Sequence, residues 1–158
     1  MILLNITFSP YLFEPYFEKY ESWRDTALQL AETQLSKNED VLVLTLDFER
    51  FYYSVDITDD FMKNILINAC DRQNFDQDVL ISRINNLIFE IITAYSKQYY
   101  KFFPQEEYKN ILPIGFLPSN VIANWCLKPF DDALTNGWNP LYYGRYVDDI
   151  LIVEKIEK

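Results

Sequence analysis

The apolar positions of this 158-residue chain change their period several times, and each change marks an element. Trp23, Ala27, Leu30, Ala31 and Leu35 recur at helical spacing behind a capping-box-like Ser22 and Asp25, which predicts a helix over 23–36. Lys37-Asn38-Glu39-Asp40 interrupts it, and Val41 to Leu46 follow as a near-continuous β-prone run. Such runs fill central strands covered on both faces, so the centre of a sheet is expected there. Helical spacing returns after Thr58-Asp59-Asp60 in Phe61, Ile65, Leu66 and Ala69. It returns again after Asp76 in Leu80, Ile84, Leu87, Ile88, Ile91, Ile92 and Tyr95. Both helices are amphipathic and are expected on one sheet face. Tyr99 to Phe103 fits a strand or the end of that helix, and Pro104 to Asn110 fits a loop. A fourth helix is predicted from Ser119 to near Lys128, where Pro129 either kinks it or opens a continuation to Asn136 that Gly137 stops. Leu141 to Val147 and Ile150 to Val153 flank Asp148-Asp149 as the arms of a hairpin with the acidic pair at its tip. Residues 1–21, aromatic and carrying Pro10 and Pro15, read as an extended or irregular lead-in with a short strand at Ile2 to Phe8.

The order helix, strand, helix, helix, loop, helix, hairpin predicts an α+β fold, an antiparallel or mixed sheet packed against helices. The length suits one domain with a sizeable core. An apolar share of 49%, with 12 Tyr, 12 Phe and 3 Trp, is far from the composition of disordered chains. Cys70 and Cys126 fall in helical segments and read as free thiols, nothing resembles a secretory leader, and no apolar run approaches the ~20 residues that cross a bilayer. These features predict a soluble cytoplasmic protein with no membrane partner. The formal charge of −10 points away from a self-sufficient nucleic-acid enzyme, because phosphate binding draws on Lys and Arg. The absence of His excludes imidazole acid–base chemistry and most zinc sites.

Chemistry is concentrated in carboxylates. Asp47 ends the apolar run at 41–46 and precedes Phe48, a setting of expected low dielectric where a lone charge is costly. A divalent cation would compensate it; so would a cap, a turn, or an ion pair to Arg50 or Arg145. Asp148-Asp149 sits where a two-residue turn favours Asn-Gly, Asp-Gly or a leading Gly, since those positions call for positive φ. Its presence there points to a site. One carboxylate at a strand end and two at a neighbouring hairpin tip can converge on hard cations bound through oxygen. Two such ions ~3.5–4 Å apart serve an in-line displacement at phosphorus, in which the substrate hydroxyl attacks and no protein nucleophile is needed.

Three stretches taken together resemble the reverse transcriptase family: Leu46 to Val55, Leu112 to Ser119, and Tyr146-Val147-Asp148-Asp149, which matches the family's Tyr-x-Asp-Asp signature. The resemblance implies a polymerase palm with a catalytic β-hairpin on helices. Asp47, the carbonyl of Phe48, Asp148 and Asp149 would hold two Mg²⁺, with Mn²⁺ possible in their place. It further implies that Asp47, Asp148 and Asp149 are catalytic, that Tyr52 gates the incoming sugar against a 2′-hydroxyl, and that Tyr146 lies beside the primer terminus. Gly115 and Ser119 would serve the nucleotide, with Gly115 permitting close backbone approach. For Phe51 and Tyr53 a core role is preferred, and Tyr146 is equally readable as one more aromatic of the hairpin. The middle stretch departs from the family pattern: Ile114 stands at the usual glutamine and Asn120 where proline often follows the serine. That variant is most similar to bacterial abortive-infection and defence-associated reverse transcriptases.

The resemblance covers residues 40–153 well and 22–37 loosely, dividing the chain into an N-terminal lead-in and helix (1–39) and a palm core (40–158). Basic fingers segments and a thumb are not found, so the chain looks like a fragment completed in cis or in trans, and inactive when isolated. The leading expectation is the palm of an RNA-directed DNA polymerase acting on template, primer and dNTPs in antiviral defence. The alternatives are a template-independent or protein-primed DNA polymerase, and a non-catalytic palm that serves as an interaction or regulatory module.

Overall fold

The computed structural model describes residues 16–73 and 79–156. The strand expected at Ile2 to Phe8 lies outside them. The fold is α+β, with helices and one three-stranded antiparallel sheet. The chain divides into two compact units, one running up to Phe48 and resuming at Lys128, the other spanning Glu49–Leu127.

In the first unit, α1 (Tyr16–Ser36) precedes β1 (Val41–Leu46). Helix α1 begins at least a turn earlier than the spacing from Trp23 predicts, so Ser22 lies inside the helix, where its carbonyl accepts the Thr26 hydroxyl, and does not cap it. The apolar register extends upstream through Tyr20, which packs on the same cluster as Trp23. After Lys128 come α6 (Lys128–Ala133), a wider π-helical turn (Leu134–Trp138), β2 (Tyr142–Tyr146) and β3 (Asp149–Lys155). Pro129 thus falls in a first turn, where its missing N–H costs nothing. The helical path runs past Gly137 and ends at Asn139, which takes the left-handed φ of 55° that Asn tolerates.

The strand order is β1-β3-β2, with β3 in the centre. This corrects the expectation that Val41–Leu46 is central: among the described residues it pairs with β3 alone, at the edge of the sheet, and Leu42, Val43 and Leu46 are exposed. Strand β3 is buried on both faces from Ile150 to Val153. On one face Leu151 and Val153 pack against Trp23, Ala27 and Ala31 of α1, with Tyr20, Val41, Tyr142 and Tyr146 around them. The two alanines, four residues apart, keep that helix face smooth so its axis can lie close to the sheet.

The second unit holds the short helix α2 (Phe51–Ser54), α3 (Asp59–Gln73), α4 (Val79–Phe102) and α5 (Leu117–Cys126). Helix α4 continues through the ambiguous Tyr99 to Phe102, so that stretch is helical. An extended segment around Asn110 to Leu112 runs beside α2 and Ile57: Leu112 N–H donates to the Tyr52 carbonyl at 2.9 Å and Ile57 N–H to that of Asn110 at 2.9 Å. Ser96 of α4, fully buried, anchors the same segment by accepting the Ile111 N–H at 2.9 Å while donating to Ile92 of its own helix at 2.8 Å. Helix α5 starts two residues before Ser119, with Pro118 in its first turn.

Candidate active site

Register brings the acids of the first unit together. The last residue of β1, Leu46, pairs with Ile150, so Asp47 continues level with Asp149, the first residue of β3. On the other side Asp149 pairs with Tyr146 of β2. The hairpin turn is therefore Val147-Asp148, one residue earlier than an acidic pair at the tip would require. Val147, not an aspartate, takes the left-handed conformation, with φ of 55°. A β-branched residue there is a true outlier and costs about 1–3 kcal/mol, which persists only where neighbours hold it.

The neighbour is Arg145. Its Nη1 donates to the Val147 carbonyl at 2.5 Å, while Nε and Nη2 grip both carboxylate oxygens of Asp131 on α6 at 2.8 and 2.7 Å. The Tyr143 hydroxyl donates to the same carboxylate. Burial, then Asp131, pushes the Tyr143 hydroxyl far above its ordinary range; burial works against the Arg145 charge, but Asp131 outweighs it and holds the guanidinium protonated. The motifs gave no warning of this brace. Its one visible signal in the sequence is an Arg two residues before the turn, on a strand whose inner positions are otherwise apolar or aromatic.

The Asp149 carboxyl is raised above its ordinary value, first by burial and then by the charges of Asp148 and Asp47. Asp149 thus lies within electrostatic reach of both other acids of the strip. Asp47 itself is exposed, contrary to the low-dielectric setting expected for it, as are Leu42, Val43 and Leu46 of the strand it ends. The arginines considered as its partners are engaged elsewhere: Arg145 by Asp131, and Arg50 by Glu106 and Tyr99. Phe48 meets Phe130 edge-on at 5.5 Å, and Tyr146 is half-buried, edge-on to Tyr20 at 5.5 Å. The oxygen-only, mutually repelling donor set fits a hard divalent cation in its chemistry. As placed, no three acidic or Cys side chains among the described residues stand close enough to hold one.

The second unit contains Tyr52, Gly115 and Ser119. Tyr52 is half-buried, packs edge-on against Phe51 and donates its hydroxyl to Asn120 Oδ1 at 2.6 Å. Asn120, noted above only as a departure from the resemblance, thus accepts the Tyr52 hydroxyl. Gly115 has φ of 82°, and a Cβ there would meet nothing within 4 Å, so glycine answers to conformation and not to crowding. Ser119 is fully buried and its Oγ finds no hydrogen-bond partner among the described residues. Ile114, in the glutamine position, is 66% exposed. Phe51 is buried and Tyr53 stacks on Tyr99 at 5.2 Å, in keeping with the packing roles preferred for both.

No family model, curated protein or solved structure matches the chain.

Proposed function

We propose that this chain is the palm core of an RNA-directed DNA polymerase of the bacterial antiviral type, a cytoplasmic enzyme working on template, primer and dNTPs. The observation that carries the reading is the β1–β3 register, which sets Asp47 level with Asp149, the sequence neighbour of Asp148, although about a hundred residues of chain separate them. The strained turn at Val147, held by Arg145, supports it, because strain of this kind concentrates at working sites.

Asp47, the Phe48 carbonyl and Asp148 would hold the metals, with Asp149 adding negative charge behind them. Two Mg²⁺ would supply activation of the primer hydroxyl and stabilisation of the leaving pyrophosphate. The chain's own part is to hold four oxygen donors at the joined ends of two strands and to fix the tip that carries Asp148. In the other unit, Tyr52 would be the sugar gate, its ring held by Phe51 and its hydroxyl by Asn120. No helix among the described residues is long and apolar enough to cross a membrane.

Paramagnetic Mn²⁺ titrated into the ¹⁵N-labelled chain tests the reading at its first requirement. Selective broadening of the amides of Asp47, Phe48, Asp148 and Asp149, abolished by Asp47→Asn and by Asp148→Asn, is expected. Uniform weak broadening across surface carboxylates at millimolar Mn²⁺ would end it.

A further inference from the structure

Helix α4 is apolar over more of its circumference than it buries. Ile92 and Ser96 are buried, and Ile81, Asn85 and Ile88 on the same side are half-buried. One residue round from that face, a second stripe points to solvent: Leu80 is 60% exposed, Ile84 50%, Leu87 55% and Ile91 39%. Their spacing of four, three and four is that of the a and d positions along a helix–helix seam. Two charged residues flank the stripe on one side, Arg83 and Glu90, seven residues apart. Both are exposed, and neither joins an ion pair among the described residues.

We propose that this stripe is a self-association surface, through which two copies of the chain pair by α4, antiparallel about a twofold axis. The charges select the partner and the direction. In an antiparallel seam, a positions face d positions of the other helix, so Ile84 of one copy meets Leu87 of the other, and the same register sets Leu80 against Ile91. The flanking position then brings Arg83 of one copy beside Glu90 of the other, and symmetry repeats the pair. A parallel seam would set Arg83 against Ile88 and Glu90 against Tyr95, leaving both charges without an opposite. One helix face thus carries its own complement in shape and in sign. From Leu80 to Ile91 the seam is only ~17 Å long, at 1.5 Å per residue, which makes the dimer weak and reversible.

Sedimentation equilibrium of the 158-residue chain across low to high micromolar concentration tests this. A monomer–dimer equilibrium is expected, with a dissociation constant on the order of tens of micromolar. Arg83→Glu alone and Glu90→Arg alone each create two like-charge contacts and should weaken the dimer roughly tenfold, while the double variant Arg83→Glu/Glu90→Arg should recover to within about threefold of the parent. Leu87→Glu should leave only monomer, with an unchanged circular dichroism spectrum because the side chain is exposed. A monomer at every concentration, a dimer indifferent to Leu87→Glu, or single charge variants that the double variant does not rescue would each overturn the proposal.

Discussion

Strands β1 and β3 read almost alike, Val-Leu-Val-Leu-Thr-Leu against Ile-Leu-Ile-Val, yet they meet opposite fates. The four apolar residues of β3 are all buried, whereas Leu42, Val43 and Leu46 of β1 are exposed. The difference lies in pairing: β3 has a strand on each side and α1 beneath it, while β1 has a single partner among the described residues. Apolar density fixes that a segment is a strand, and the number of neighbours fixes whether its side chains are covered. The acids sit where these two strands meet, between a covered strand and a more open one.

The sharpest way to expose that contrast is a pair of truncations. Ile152→Ala in β3 should cost about 3 kcal/mol in a denaturant melt, since it empties a fully packed position. Leu42→Ala in β1 should cost under about 1 kcal/mol, as much of that side chain is already in water. Comparable losses would mean that the edge strand is covered after all. A second break acts through the other neighbour of β3. A Cβ on Gly144 of β2 would stand 2.6 and 2.7 Å from the indole of Trp23 and 2.5 Å from the Tyr142 hydroxyl. That hydroxyl is itself tied to the Trp23 carbonyl at 2.9 Å, so neither group can yield easily. Gly144→Ala should therefore cost about 2 kcal/mol by overpacking, visible as a lowered midpoint without a change in slope.

The smallest effect has the opposite sign. Burial, Asp148 and Asp47 raise the Asp149 carboxyl, so the folded chain binds that proton more tightly than the unfolded chain does. The resulting stabilisation is complete below the unfolded value of about 4 and is lost as pH rises through the raised folded value. Asn cannot ionise, so Asp149→Asn should be the more stable protein at pH 7, by about 0.5 kcal/mol after allowing for solvent screening at an exposed residue. The advantage should close as pH falls below about 4. Melts at pH 7 and pH 3 that show no such convergence would mean that Asp149 feels neither burial nor the other two acids.

Period and punctuation made the helices and the hairpin legible: α3, α4 and both hairpin arms stand where the apolar positions put them, and α1 does so from Trp23 onward. The order of strands was not legible, because an apolar run carries no record of how many partners it has. Tip geometry differs from the expected one by a residue. Turn preferences allow an aspartate at positive φ and would not choose valine, yet the left-handed residue of the turn is Val147. The coupling of Asp47 to the later acids was legible as motif order alone, since only register across β1 and β3 makes it physical. Asn120 reads as a mere departure from a pattern until its hydrogen bond with Tyr52 gives it a task.

Arg145 grips Asp131 with two nitrogens and the Val147 carbonyl with the third, and its side chain is shielded from solvent. Dissolved salt therefore acts unevenly across a few ångströms. Mobile counter-ions can quieten the repulsion among the open carboxylates, yet they reach far less of the clasp that sets the loop's shape. The tip can gain or lose its ion atmosphere without being reshaped by it.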